Sequence, residues 1–186
     1  LTGCSTSKTT NTARTATEQL LISNAVDQAL DKVEFSRFSG LKVFFDEKHL
    51  DGVDKLYVIG SIRHRILYTG GQIVPQADDA DVIIEARSGG IGTDTSETYY
   101  GVPELVVPGV LTIPELKIAQ RLNQRGSAKI GFVAYEAKSR QIIGQGGLTM
   151  AMSDNNDWRV LGIGPFRNGT LSQEIKAGTS GDTYNP

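Results

Sequence analysis

Apolar residues recur along this chain with two different periods, and the switch between them lays out the expected elements. Ile22, Ala25, Val26, Ala29, Leu30 and Val33 fall at helical spacing, one stripe along a first helix. Thr17 is its expected N-cap, with Leu20 and Leu21 in the first turns. A second helix is expected over 53–69. Leu56, Ile59, Ile62, Ile66 and Leu67 make its apolar face, and Gly70 and Gly71 stop it. Between the helices, Leu41 to Phe45 reads as a buried strand. Gln72 to Pro75 reads as a short one, and Val82 to Arg87 as a third. Ser127 to Glu136 alternates with period two, placing Ile130, Phe132 and Ala134 on one face. A turn at 137–140 returns the chain along Gln141 to Met150. The polar run Ser153 to Asp157 is expected to be a loop, and Trp158 to Ile163 a last short strand.

This order interleaves helices and strands first and gives strands alone afterwards. It predicts an α/β (α+β) fold, a two-layer sandwich in which two helices pack on one face of a mixed sheet. One globular domain is expected over 18–166. From Arg167 onward the chain is rich in Gly, Thr and Asn and is expected to be a disordered tail over 167–186.

The stretch from Gly89 to about Glu115 does not fit either period. It is expected to be irregular, yet it is apolar and carries Pro103, Pro108 and Pro114. Two readings follow. The segment folds back over the sheet as extra core, which is the simpler one, or it presents Tyr99, Tyr100, Val106 and Val107 to a partner. Prolines would stiffen such a surface and reduce the entropy lost on binding.

The chain opens on Leu1-Thr2-Gly3-Cys4, which has the form of a bacterial lipobox, and Cys4 is the only cysteine. Small residues before the cysteine suit a signal-peptidase cleft, and the thiol would carry acyl chains worth about 0.8 kcal/mol per buried CH₂. An upstream signal peptide is therefore expected. Residues 5–17, mostly Ser and Thr, read as a flexible tether spanning roughly 20 Å. Ser5, where enterobacterial lipoproteins retained at the inner membrane carry Asp, points to the outer membrane.

The net charge of −2 gives no electrostatic footprint for nucleic acid. No apolar run reaches the roughly 18–20 residues of a spanning helix. One cysteine permits no internal disulfide. Gly89-Gly90-Ile91-Gly92 follows a strand as a phosphate loop would, but no helical stripe follows it, so a bend or bulge is expected. His49 and His64 lack the companions of a zinc site or a catalytic elbow. Asp154, Asn155, Asn156 and Asp157 lack the spacing of a calcium loop. No cofactor, metal or catalytic residue is expected.

Three features make the chain similar to a broad group of periplasmic lipoproteins. This group includes the curli-secretion lipoprotein CsgG, the amino-terminal domain of TolB and the outer-membrane activators of peptidoglycan synthases. The features are the Leu1–Cys4 anchor with its tether, the phrase from Ala80 to Glu85 opening a strand, and the hairpin from Ser127 to Gly144. The turn over 136–140 departs from the group in lacking Asp and Gly, and nothing reads as a pair of long amphipathic membrane strands, so channel activity does not carry over. The chain also resembles short bacterial lipoproteins sharing phrases such as Arg87 to Asp94, Tyr100 to Pro103 and Leu161 to Phe166. The second resemblance implies a lipoprotein and supplies no activity; by analogy with the broader group the chain is expected to be a non-enzymatic, lipid-anchored periplasmic module that binds an envelope component, a protein first of all, with homo-oligomerisation open to it. The alternatives are an envelope hydrolase or carbohydrate binder, and an auxiliary lipoprotein of a lipid transporter with a groove for acyl chains.

Overall fold

The computed structural model of the protein describes residues 13–109, 111–143 and 146–179. Its elements are helix α1 (Ala16–Leu30), strand β1 (Lys42–His49), helix α2 (Lys55–Tyr68), β2 (Gln72–Ile73), β3 (Val82–Val102), β4 (Leu105–Val107), β5 (Leu111–Ile113), β6 (Leu116–Glu136), β7 (Gly147–Val160), β8 (Ile163–Asn168) and α3 (Thr170–Thr179). Six strands form one sheet in the order β2-β1-β3-β6-β7-β8, and β4 pairs with β5 in a separate two-stranded ladder. The α+β sandwich expected from the sequence is the observed class. The chain forms two compact units. The first combines the residues up to Gly92 with Gly126–Met152, and the second combines Thr93–Arg125 with the residues from Ser153 onward.

In the first unit β1 runs parallel to β2 and to β3, with Val43 opposite Val82 and Phe45 opposite Ile84. Strand alternation then puts Val43, Phe45, Val82, Ile84, Ala128 and Ile130 into one core with α1 and α2. α1 contributes Ile22, Ala25, Val26, Ala29 and Leu30 to it, as its stripe predicted. α2 contributes Val58, Ile59, Ile62 and Ile66. Leu56 and Leu67, expected on that face, are exposed, because Val58 completes the helical spacing to Ile62 in their place. Each fully buried aliphatic here is worth about 1.5–3 kcal/mol.

The cap of α1 is Thr15 and not Thr17. Thr15 Oγ1 accepts the N–H of Glu18 at 3.1 Å, and Glu18 stands three positions on, the spacing of a capping box. Arg14 then holds Glu18 and, through both terminal nitrogens, Asp54 ahead of α2, each at 2.9 Å. The end of α2 is as predicted. Gly70 adopts φ +91°, and a Cβ on Gly71 would lie 2.9 Å from the Ile66 carbonyl.

The second unit differs most from the sequence expectation. The stretch from Gly89 to Val102 is not irregular but continues β3 to a length of 21 residues, and β6 begins as early as Leu116 with the same length. Thr and Tyr between 93 and 100 favour extended backbone. Pro103 and Pro114 mark the points where β3 ends and β6 has yet to begin, instead of breaking a loop at random. Ser153 to Asp157 lies within β7, not in a loop, and Ser153 and Asn155 are buried. The tail also carries order, since β8 runs to Asn168 and α3 spans Thr170–Thr179. α3 starts where Asp154 lets it: the Asp154 carboxylate accepts the Thr170 N–H at 3.2 Å, and Thr170 Oγ1 accepts the Asp154 N–H at 2.9 Å.

Candidate functional site

The second unit presents two hairpins. In the first, β3 and β6 flank the small β4–β5 ladder, where Leu105 faces Ile113, Val106 faces Thr112 and Val107 faces Leu111. The turn is made at Pro108 and Gly109, with Gly109 at φ +75°. In the second, Val160 faces Ile163 across Leu161 and Gly162, both at positive φ (49° and 79°). That is the two-residue geometry that matches strand twist. The backbone N–H of Leu161 donates to the carbonyl of Ile118 at 2.7 Å, so this turn lies beside the first hairpin at its apolar end.

The surface residues singled out in the sequence lie in and next to the first hairpin. Tyr99 and Tyr100 stand on β3, 44 % and 65 % exposed, and Val106 on β4 is 65 % exposed. Val107 follows it in the same ladder. Tyr99, Tyr100 and Val106 are exposed, with the Tyr99 ring covered in part by Lys117. Cys4 lies outside the described residues. The sequence reading missed the neighbours that complete the surface: Leu116 and Ile118 on β6, and Leu161, Ile163 and Phe166 at the second turn, all exposed. Part of the signal was in the sequence, since Leu161, Ile163 and Phe166 each adjoin a glycine or proline.

Polar contacts organise the flank of this surface. Tyr99 donates its phenol hydrogen to Glu115, and that bond pushes its pKa up. Lys117 Nζ lies 4.9 Å from the centre of the Tyr99 ring and 3.4 Å from Glu97, which also accepts from Gln120 at 2.6 Å. Further along the same strands the second unit is polar. Arg121 donates to Asn156 at 3.0 Å and lies over the Trp158 ring at 5.1 Å, and Asn156 donates to Asp154 at 2.7 Å. Asp154 to Asp157 thus brace strands and cap a helix.

The first unit holds a cavity of about 820 Å³. Phe35, Phe38, Ile84, Phe132 and Ile143 line it, and Phe35 meets Phe38 and Phe132 edge-on at 6.4 and 6.1 Å. Lys32, Glu34 and Arg37 stand at its rim, with Arg37 paired to Glu34 at 2.7 Å. On β3, Glu85 accepts the phenol hydrogen of Tyr135, which raises the pKa of that phenol, and Arg140 lies over the same ring at 5.6 Å.

The remaining sequence candidates fall apart in space. Gly89 to Gly92 belongs to β3 and opens no helix, and Gly90 within it adopts φ +151°. His49 is exposed at the end of β1, and His64 is exposed and stacks on Tyr68 with ring centres 6.0 Å apart. Among the described residues no group of three or more His, Cys, Asp or Glu side chains is placed to hold a metal ion. No helix among them is long and apolar enough to cross a membrane. A family model described as a family of unknown function (DUF6655) matches residues 1–183. Comparison with curated proteins gives no match.

Proposed function

The chain belongs to this family of unknown function, so its role has to be read from its own surfaces, and we propose that it is a lipid-anchored periplasmic module of the bacterial outer membrane. In this reading it binds another component of the envelope and performs no chemistry of its own. The observation that carries it is the exposed apolar end of the second unit, where Tyr99, Tyr100 and Val106 stand with Leu161 and Ile163. A cluster of exposed apolar residues favours a binding partner over bulk water. Cys4 would tether it to the membrane.

The test is fractionation with intact mass of the precursor expressed in a bacterial host, beside its Cys4→Ser variant, with a photo-crosslinking residue at Tyr100. Acyl mass and membrane retention in the wild type alone, together with crosslinked adducts, support the reading. A soluble, unmodified wild type that forms no adduct overturns it.

The cavity of the first unit favours a second reading, an auxiliary lipoprotein of lipid transport. At about 820 Å³ it lies within the usual range of small-molecule pockets, roughly 300–1,000 Å³. Its aromatic floor and the basic Lys32 at its rim suit an acyl chain with an anionic head. Mass spectrometry of organic extracts from detergent-free Cys4→Ser protein decides the matter: stoichiometric acyl lipid supports this reading, and none removes it.

A further inference from the structure

We propose that the hairpin ends of the second unit enter the hydrocarbon of a lipid bilayer, so that the envelope component met by this surface is membrane lipid itself. The inference rests on the envelope reading above and names the partner of the same surface.

Four observations converge on lipid and not on a protein partner. First, both turns are free of charge. Leu105 to Ile113 and Val160 to Phe166 contain no Asp, Glu, Lys or Arg, and acidic or basic residues resume only at Glu104, Glu115, Arg159 and Arg167. Second, the apolar residues occupy both faces of the strands. Successive side chains point to opposite faces, yet Tyr99 and Tyr100 are both exposed, and so are Leu105 and Val106. A docked protein covers one face of a ribbon, whereas a hydrocarbon medium surrounds both.

Third, Leu161 occupies a left-handed turn position, φ 49°, where the local backbone favours Gly, Asn or Asp. Its side chain is 71 % exposed, and Ile163 beside it is 67 % exposed. Neither folding nor solubility is served by a leucine there, and insertion into lipid is. Fourth, the residues behind the tip are those of a membrane interface. The two tyrosines, with Lys117 against the Tyr99 ring, form a short amphipathic belt between the charge-free tip and the polar strands carrying Arg121 and Asn156.

The geometry also limits the depth. Three residue pairs in the β4–β5 ladder extend roughly 10 Å, against a hydrocarbon core of about 30 Å. The tip by itself therefore reaches into one leaflet. The Tyr99 and Tyr100 rings rest at headgroup level, and the second turn, tied to Ile118 next to Lys117, enters from that level.

The experiment uses the full chain with Cys4→Ser, which removes the acyl anchor and leaves no other cysteine. Single cysteines at Val106, Leu161 and Leu56 carry an environment-sensitive fluorophore. Leu56, exposed on α2 of the first unit, is the reference. The probe is a vesicle of phosphatidylethanolamine and phosphatidylglycerol. The expected result is a blue shift at positions 106 and 161, none at 56, and co-flotation of protein with vesicles. Introducing Val106→Glu or Leu161→Asn should each lower the vesicle-bound fraction about tenfold or more. Leu161→Asn is the variant that keeps the turn intact.

Absence of flotation and of any shift overturns the proposal. A concentration-dependent shift without vesicles overturns it in favour of a second copy as the occupant. The two readings fail separately. An acylated protein whose cysteine-free form ignores vesicles loses this inference alone, and an unmodified protein that still binds vesicles loses the anchor alone.

Discussion

The backbone N–H of Leu161 donates to the carbonyl of Ile118 at 2.7 Å. β6 and β7 are already neighbours in the sheet, and this bond carries their pairing into the turn between β7 and β8, so two hairpins distant in sequence share one apolar end. Leu161 does this from a left-handed conformation that costs an L-residue about 1–2 kcal/mol. Asn keeps the N–H and tolerates that conformation. Leu161→Asn should therefore raise stability by a few tenths to about 1 kcal/mol, read as a higher urea midpoint. Leu161→Pro removes the donor and cannot adopt the positive φ, and should lower stability by about 3 kcal/mol.

Gly126 on β6 lies close against α1. A Cβ there would collide with the backbone carbonyl of Leu21, a fully buried residue. Neither partner is the loose end of a side chain, so the helix or the strand has to shift. Gly126→Ala should cost about 1–3 kcal/mol, the usual range for overpacking. Gly92, whose Cβ would meet nothing within 4 Å, is the matched control. Gly92→Ala should leave stability unchanged or raise it by about 0.4–1 kcal/mol through the unfolded state. Paired thermal melts of the two variants check this.

The same residues show how far the sequence could be read. The α1 stripe and the Val82–Ala86 strand were legible because burial on one face imposes a period that the chain carries openly. The course of β3 beyond Ser88 was not. Its glycines and the prolines that follow look like loop punctuation, while its strand character rests on pairing with neighbours remote in sequence. Asn155 was read as solvated because it is polar. Its burial depends on partners such as Gln124, at 3.4 Å, that no local pattern announces. Tyr99, Tyr100 and Val106 were legible as apolar residues in a segment of unusual composition, but whether they cover core or face outward was not, and they are exposed. The cavity lined by Phe35 and Phe132 was invisible, since those residues meet only once the sheet is assembled.

Asp154 acts on α3 from another element, accepting the N–H of Thr170 at the start of the helix. Asp154→Ala should cost about 1–2 kcal/mol as a lost cap. Asp154→Asn keeps an acceptor and loses the charge that favours a helix N-terminus, a smaller effect of about 0.3–1 kcal/mol. Hydrogen exchange at amides 171–177 is the measurement. Protection should fall in the order wild type, Asn, Ala, while protection in α1 stays constant.

Tyr57 on α2 donates its phenol hydrogen to Asp27 on α1, and Arg65, one helical face further along α2, reaches the same carboxylate at 3.3 Å and Asp31 at 2.6 Å. Burial, and then the bond to Asp27, push the Tyr57 pKa up to about 12. An unfolded tyrosine titrates near 10. Because the folded pKa lies above the unfolded one, the protonated phenol stabilises the helix pair fully below pH ~10. That contribution is lost as pH rises from about 10 towards 12, where the unfolded chain releases its proton first. Tyr99 and Tyr135, raised by Glu115 and Glu85, add to the alkaline slope in the same direction. The share belonging to Tyr57 is isolated by subtraction. Urea midpoints across this range should fall less steeply in Tyr57→Phe than in the wild type, and the two proteins should run parallel between pH 6 and 9. Equal slopes above pH 10 would remove the Tyr57–Asp27 bond from any role in holding α1 to α2.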